Sequence, residues 1–150
     1  MERHLISRGL PCAVLDGDNV RHGLNHDLGF SPHDRTENIR RVAEVSRLML
    51  DAGLMVITSF ISPYRVDRAM AKTIIGEEKF VEVYLSASLE ACEKRDTKGL
   101  YRKARAGELP SFTGISSPYE PPEEPDLIIH TTTLTVETSL KPLLNQLGRG

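Results

Sequence analysis

Short apolar runs alternate along this chain with longer segments of helical periodicity. Four apolar runs have the length of strands and cover residues 12–15, 54–57, 80–85 and 126–129. Helical patterns follow residue 31 and cover residues 64–75, 88–95 and 136–147. Strands that alternate with helices pair in parallel through right-handed crossovers. The alternation therefore predicts an α/β fold built on a parallel sheet.

The best-defined helix start lies at Ser31. Ser31 is a favoured N-cap, Pro32 suits the first helical position, and Asp34 faces the positive end of the helix dipole. Apolar residues then recur at helical spacing as far as Leu50, and Gly53 is a typical residue beyond a helix C-terminus. The pattern predicts one long amphipathic helix between Ser31 and Gly53.

Length and composition exclude several classes of protein. The 150 residues suit a single domain, 1–150, and a net charge of −2 gives no general reason to expect a nucleic-acid partner. Cys12 and Cys92 form no zinc-ligand spacing and fit a reducing compartment. No apolar run approaches the roughly 20 residues that cross a bilayer, and residues 1–8 do not resemble a secretory signal. We expect a cytoplasmic domain without a membrane partner.

Polar residues follow the first two predicted strands, at residues 16–21 and 59–62. Ligands of open parallel sheets bind beyond the carboxyl ends of the strands. These two segments are therefore the places to look for chemistry.

The run Asp16-Gly17-Asp18-Asn19, which we expect to form a loop, admits several interpretations. Val20 and Arg21 stand where a calcium loop needs a further ligand and a glycine, so the sequence excludes that site. The aspartates remain open as a metal site of a sugar-nucleotide transferase or as a simple turn. A third interpretation places a carboxylate at a phosphoryl-transfer centre, through a magnesium-bound water or as a base.

Arginines around the start of the long helix favour an anion site. Arg35 lies in the first turn, where its charge opposes the helix dipole unless an anion binds nearby. We interpret Arg21 in the same way, and Arg40 and Arg41 as a solvated helix face. Phe30 is either a hydrophobic staple of this helix or a platform for a nucleobase.

Two further segments have both ordinary and functional interpretations. Ser62 precedes a proline as a turn residue often does, and no nearby Ser-His-Asp order supports acyl transfer. Residues 95–107 are basic and form either an exposed amphipathic helix or a lid that closes over phosphates. Phe112 and Thr113 follow and suggest a stacking contact.

Six blocks of the sequence together resemble the adenylylsulfate kinases, in order and in spacing, over essentially the whole chain. The blocks are LDGDNVRHGLN, LGFSP, ENIRR, ITSFISP, KGLYRKARAGE and FTGI. The segment GEEKFVEVY is most similar to the bacterial single-domain form. Members of this family transfer the γ-phosphate of ATP, with Mg²⁺, to the 3′-hydroxyl of adenosine 5′-phosphosulfate (APS) for sulfate assimilation.

The resemblance implies roles for named residues. Asp18 and Ser62 are the implied catalytic residues, Asp18 near the attacking hydroxyl and Ser62 as a serine sometimes assigned as a phosphorylated intermediate. We favour direct in-line transfer instead of a phosphoserine. The implied APS-binding positions are Asp18, Asn19, Arg21, Phe30, Arg35, Asn38, Ile61, Ser62, Lys98, Phe112 and Thr113. The resemblance implies no metal ligated by the protein and suggests a homodimer.

The family also has a strand and a Gly-x-x-x-x-Gly-Lys-Ser/Thr loop ahead of the Asp-Gly-Asp strand. That pattern does not occur in the 150 residues, and residues 1–8 are similar to the end of the helix after the loop. The resemblance therefore implies a three-layer P-loop NTPase-like fold whose N-terminal strand and P-loop are missing here. Because the loop holds the ATP phosphates, we expect the 150 residues alone to be inactive and prone to aggregate.

Three hypotheses about the chain remain open at this point. The sequence is a fragment, or has a mis-called start, of an ordinary kinase. Alternatively it is a catalytically inactive module that binds APS or regulates a partner. The aspartate-based transferase is a third hypothesis.

Overall fold

The structure is a computed structural model that describes residues 1–147. Its strands are β1 (Cys12–Asp16), β2 (Met55–Ser59), β3 (Val83–Ser86) and β4 (Leu127–His130). Its α-helices are α1 (Glu2–Ser7), α2 (Gly17–His22), α3 (Pro32–Asp51), α4 (Arg65–Ile75), α5 (Leu89–Arg95), α6 (Leu100–Arg105) and α7 (Val136–Leu147). A 3₁₀ turn covers Glu77–Lys79. Among residues 1–147, no helix combines the length and the apolar character that a membrane span requires.

The chain divides into two compact units, Met1–Phe80 and Val81–Gly150. In the first unit β1 and β2 pair in parallel, in register from Cys12 with Met55 to Asp16 with Ser59. Helices α3 and α4 pack together and bury an apolar cluster formed by Ile39, Ala43, Ala71 and Ile75 with Phe60, Met70, Ile74, Leu50 and Phe80 around it. This packing fixes α3 and α4 beside each other, and the site described below lies at their N-terminal regions.

In the second unit β3 and β4 pair in parallel, in register from Val83 with Leu127 to Ser86 with His130. Ile129 of β4 is almost completely buried, with 1% of its surface exposed. Helix α7 contacts β4, and α5 begins at Leu89 after the N-cap Ser88, whose hydroxyl accepts a hydrogen bond from the Ala91 N–H. Helix α6 carries three basic side chains, Arg102, Lys103 and Arg105.

The predicted helix start at Ser31 is confirmed. Helix α3 begins at Pro32, and the Ser31 hydroxyl accepts a hydrogen bond from the Asp34 N–H over 3.2 Å. The helix ends at Asp51, two residues before Gly53. These features depend on neighbouring residues alone, which is why the pattern located them.

One sequence-based expectation is confirmed and one is wrong. The predicted α/β fold with parallel strands is confirmed, and the strands described here form two two-stranded parallel sheets. The alternation of strands and helices determines parallel pairing across a crossover but not which strands become neighbours. Residues 17–18 do not form a loop, because α2 begins directly after β1 and Asp16 caps it.

Candidate functional site

The carboxyl ends of β1 and β2 lie side by side. Asp16 pairs with Ser59 as the last pair of the sheet. A Cβ atom on Gly17 would lie 3.5 Å from the Phe60 ring and 3.6 Å from the Ser59 carbonyl oxygen. The segments that follow β1 and β2 are therefore still in contact at this point. The polar segments after both strands therefore share one edge of the first unit, as the sequence predicted.

Asp16 and Asp18 have different roles at this edge. The Asp16 carboxylate accepts a hydrogen bond from the Asp18 N–H over 2.9 Å and so caps α2. Asp18 and Asn19 are exposed in the first turn of that helix. Residues 1–147 contain no group of three or more His, Cys, Asp or Glu side chains that suits a metal ion. Asp18 is therefore the more exposed of the two carboxylates at this edge.

Two arginines surround the ring of Phe30. The Arg21 guanidinium carbon lies 4.3 Å from the ring centre and that of Arg35 lies 5.8 Å from it. Arg21 donates to the carbonyls of Leu28 and Gly29 over 3.0 and 2.9 Å, and the Arg35 Nε donates to the Phe30 carbonyl over 3.1 Å. Phe30 is 59% exposed, which does not fit a buried hydrophobic staple. An exposed aromatic ring and two cationic groups thus lie together.

The electrostatics of this cluster favour an anion. Burial lowers the pKa of Arg21, and the positive charge of Arg35 lowers it further, while Asp34 raises it in part. A bound anion would remove the repulsion between the two guanidinium groups and use their hydrogen-bond donors. The cluster combines a surface for a flat aromatic group with charge for an anion.

Asn38 lies one helical turn after Arg35, on the same face of α3. Its side-chain oxygen accepts a hydrogen bond over 3.0 Å from the amide nitrogen of Asn25, a residue with no exposed surface. Asn38 itself is 5% exposed. A hydrogen bond from the buried Asn25, in the loop before α3, therefore fixes the predicted binding residue Asn38.

The interpretation of Arg40 and Arg41 as a solvated face is only half right. Arg40 lies on the surface of α3 and bonds to Glu37 and Glu44 on the same helix. Arg41 instead bonds to both carboxylate oxygens of Asp27, over 2.7 and 2.8 Å, and fastens the loop to α3. Hydrogen bonds from Arg40 and Arg41 lower the pKa of Glu37 to about 2. Both arginines are engaged within the protein, so neither belongs to the anion site.

Ile61 and Ser62 follow β2. Ile61 is 61% exposed, and Ser62 has a positive φ of 35°, which is uncommon for a residue other than glycine. The Arg68 guanidinium donates to the Ser62 carbonyl over 2.7 Å and supports this conformation. Ser62 is thus held by the backbone and by α4, at the same strand edge as Asp18.

In the second unit Lys98 lies on the segment before α6. This segment lines a groove of about 500 Å³ together with Glu93, Asp96, Thr97, Gly99 and Arg102. The Asp96 carboxylate accepts hydrogen bonds from the Tyr101 and Arg102 N–H groups over 3.1 and 3.0 Å. Gly99 between them has a positive φ of 68°, which glycine adopts without strain. Asp96 therefore sets the direction of the loop that carries Lys98.

Phe112 and Thr113 also lie in the second unit. The Phe112 ring meets the Tyr101 ring edge-to-face, with centroids 5.1 Å apart and planes at 75°. The Thr113 hydroxyl is buried and has no hydrogen-bond partner among residues 1–147. Burial raises the pKa of Tyr101 to about 12, and the neighbouring Cys92 contributes in the same direction. The role of Phe112 as a stacking residue for APS stays a prediction.

Three residues with roles around the site were missed in the sequence. Asn25 stood among other polar residues with nothing to mark its burial, and Arg68 bonds to a carbonyl six positions earlier. Asp96 lies three residues before Gly99, the N-cap of α6, so no capping pattern marked its bonds to the Tyr101 and Arg102 N–H groups.

The chain matches known proteins along nearly its whole length. A family model described as adenylylsulphate kinase matches residues 1–130. The chain belongs to the adenylylsulphate kinase family. Adenylyl-sulfate kinases of Bacteroides thetaiotaomicron and Staphylococcus epidermidis are 57% and 53% identical to this family member over 144 and 147 residues. The matches cover 96% and 98% of this chain, and 72% and 74% of those relatives.

A solved structure of the adenylylsulphate kinase family agrees with this assignment. The Mycobacterium tuberculosis APS kinase in complex with AMPPNP and APS superimposes with a TM-score of 0.94 at 45% identity, over 98% of this chain and 86% of that one. The α/β fold with parallel strands is therefore that of the family, which places the chain among nucleotide-binding transferases of the kinase class. Because these relatives are named as kinases, the hypothesis of an inactive module gains no support from them.

Proposed function

We propose that this protein phosphorylates the 3′-hydroxyl of APS with ATP, as a cytoplasmic step of sulfate assimilation. The observation that carries the proposal is the cluster of Arg21, Phe30 and Arg35 at the strand edge that also presents Asp18. APS combines a flat adenine with a phosphosulfate anion, and the cluster combines an exposed ring with two guanidinium groups. The family assignment and a structural relative in complex with APS support the same substrate.

Acceptor recognition then divides between charge and stacking. Arg21 and Arg35 donate charge-assisted hydrogen bonds to the phosphosulfate oxygens. The adenine stacks on Phe30, since a base and an aromatic ring contribute about 1–3 kcal/mol per stack, and Phe112 is a second proposed stacking residue. Asn19, Asn38, Ile61 and Thr113 complete the proposed set, together with Lys98 as a cation toward the phosphates.

Transfer is proposed to proceed directly and in line. The 3′ oxygen of APS forms a bond to the γ-phosphorus of ATP as the bond to the β-phosphate oxygen breaks, which releases ADP. Asp18, exposed at the end of β1, orients the hydroxyl and accepts its proton or passes it to water. Ser62 positions the acceptor from the end of β2, and no phosphoserine is required.

Magnesium is compatible with the residues at this edge. Mg²⁺ keeps several waters and binds one or two carboxylates together with nucleotide phosphates. A single exposed carboxylate, Asp18, fits contact with a magnesium-bound water. When bound, the ion neutralises charge on the nucleotide oxygens. We assign no residue to the ATP phosphates, because the Gly-x-x-x-x-Gly-Lys-Ser/Thr pattern does not occur in these 150 residues.

We further propose that residues 1–150 act as one kinase domain, since the family match at residues 1–130 includes parts of both units. A homodimer is proposed on the resemblance alone. Light scattering coupled to gel filtration measures it directly, and a monomeric mass contradicts it.

Calorimetry and a kinase assay test the two halves of the proposal separately. Titration with APS is compared with titration of adenosine 5′-monophosphate, which lacks the sulfate, and we expect APS to bind more tightly. An assay of ADP formation with ATP, Mg²⁺ and APS is expected to show APS-dependent turnover and a 3′-phosphorylated product by mass spectrometry. Folded protein without heat from APS contradicts the acceptor site. Binding of APS without APS-dependent ADP formation contradicts the transfer step.

A further inference from the structure

The side chain of Asn25 points from the loop after α2 into the protein and reaches α3. Asn25 has 0% of its surface exposed. Its backbone N–H donates to the Val20 carbonyl over 2.9 Å, which fixes the residue to the end of α2. Its side-chain nitrogen lies 3.0 Å from the Asn38 side-chain oxygen and 3.5 Å from the Asn38 backbone oxygen. Asn25 therefore links the loop between α2 and α3 to α3, which carries Arg35 of the anion site.

These two distances determine which end of each amide faces the other. A backbone carbonyl only accepts hydrogen bonds, so the Asn25 atom beside it is the NH₂ group. The Asn38 atom that meets the same NH₂ group must then be the oxygen. The Asn38 amide is held by its acceptor end, and its donor end is left for another partner.

Burial of Asn25 is hard to explain by packing alone. Its side-chain oxygen is buried and has no hydrogen-bond partner among residues 1–147. A buried amide with an unsatisfied oxygen costs free energy that an apolar side chain of similar size would avoid. The residue type at this position is explained if a buried NH₂ donor is needed to orient Asn38.

We propose that Asn25 is a positioning residue that turns the Asn38 N–H groups toward the acceptor substrate. Asn38 lies one helical turn after Arg35, so its donors add to those of the arginines around Phe30. The substrate atom at Asn38 is then a hydrogen-bond acceptor, such as an oxygen of the phosphosulfate or the ribose. This inference rests on the proposed function for the identity of the substrate, but the orientation of the two amides does not depend on it.

The Asn25→Asp variant tests the orientation at nearly constant shape. An ionised aspartate only accepts hydrogen bonds, so at a pH where the introduced carboxyl group is ionised the Asn38 amide turns round to donate to it and offers its oxygen to the substrate. We expect APS binding to weaken at least tenfold by calorimetry, with the KM for ATP within twofold of the wild type. Asn145→Asp makes the same chemical change at an exposed position of α7 and should leave APS binding unchanged. Asn25→Ser retains a donor and should bind APS more tightly than Asn25→Asp.

A double-mutant cycle separates positioning from a general loss of structure. If Asn25 acts through Asn38, Asn25→Asp has no further effect on APS affinity in an Asn38→Ala background. Equal effects of Asn25→Asp in both backgrounds overturn the proposal. So does wild-type affinity for APS in the folded Asn25→Asp variant.

Side-chain amide signals of the ¹⁵N-labelled wild-type protein test the orientation without any ligand. The Asn25 NH₂ protons should be protected from exchange with water, and the Asn38 NH₂ protons should exchange and shift when APS is added. Protection of the Asn38 NH₂ in the free protein overturns the orientation, even if APS binds. A wild-type protein that binds no APS refutes the proposed function and the substrate part of this inference, while the free-protein spectra still decide the orientation.

Discussion

Replacement of Arg35 by alanine should separate acceptor recognition from folding. The Arg35 Nε donates to the Phe30 carbonyl, and the guanidinium lies 5.8 Å from the ring centre. A net hydrogen bond contributes about 0.5–1.5 kcal/mol and an exposed cation–π contact about 0.5–1 kcal/mol. Against this loss, removal of a positive charge from the start of a helix gains about 0.3–1 kcal/mol. We expect the free energy of unfolding to fall by only about 1 kcal/mol.

The effect of Arg35→Ala on acceptor affinity should be larger. A hydrogen bond between a guanidinium and an anion contributes about 1.5–3 kcal/mol. Loss of that bond corresponds to APS binding about 10- to 150-fold weaker. ATP affinity should change little, because Arg35 is proposed to contact only the acceptor.

Calorimetry with APS measures the effect, and Arg40→Ala is the matched control. Arg40 lies on the same helix, and its removal changes the net charge equally, but its bonds go to Glu37 and Glu44. We expect APS to bind to Arg40→Ala as it does to the wild type. The reasoning is refuted if folded Arg35→Ala binds APS within twofold of the wild type, or if both variants weaken binding equally.

Three further predictions concern the surroundings of the site. Asp96→Ala removes the acceptor of two N–H groups at the start of α6, so amide exchange over residues 100–105 should become faster and the KM for APS should rise; unchanged exchange rates contradict the capping role. Glu37 has its pKa lowered to about 2, so its contribution to stability is complete above its ordinary pKa of 4.5 and is lost as the pH falls through about 2. The stability difference between wild type and Glu37→Gln in urea titrations should shrink over that pH range, and a constant difference contradicts the ion pairs. Arg68→Met removes the donor to the Ser62 carbonyl and should lower kcat more than it weakens APS binding; an unchanged kcat argues against a positioning role.

The helices and strands of this protein were largely predictable because their signals are local. Helix α3 begins at Pro32 after a serine cap, and the closing helix begins at Val136 as the sequence predicted. Capping and periodicity act over a few neighbouring residues, which one sequence contains in full. The same locality explains why the polar ends of β1 and β2 were identified as the edge where the site lies.

Local patterns could not determine how distant residues meet. The division of four strands between two sheets depends on lateral neighbours, which no periodicity records. The sequence pattern suggested that Arg41 is solvated, but in the structure it forms hydrogen bonds to Asp27, which lies 14 positions earlier. Asn25 carried no mark of being buried.

The sequence by itself determined the class of fold, the family and the residue types of an anion site, since Arg21 and Arg35 at a helix start already implied a negative ligand. Only the tertiary structure decided how those side chains are arranged. It placed both guanidinium groups around the Phe30 ring, and it held Asn38 by the oxygen of its amide. The physical reason is that hydrogen bonds and ring contacts have direction, and direction is set only when α2, α3 and the loop between them pack together.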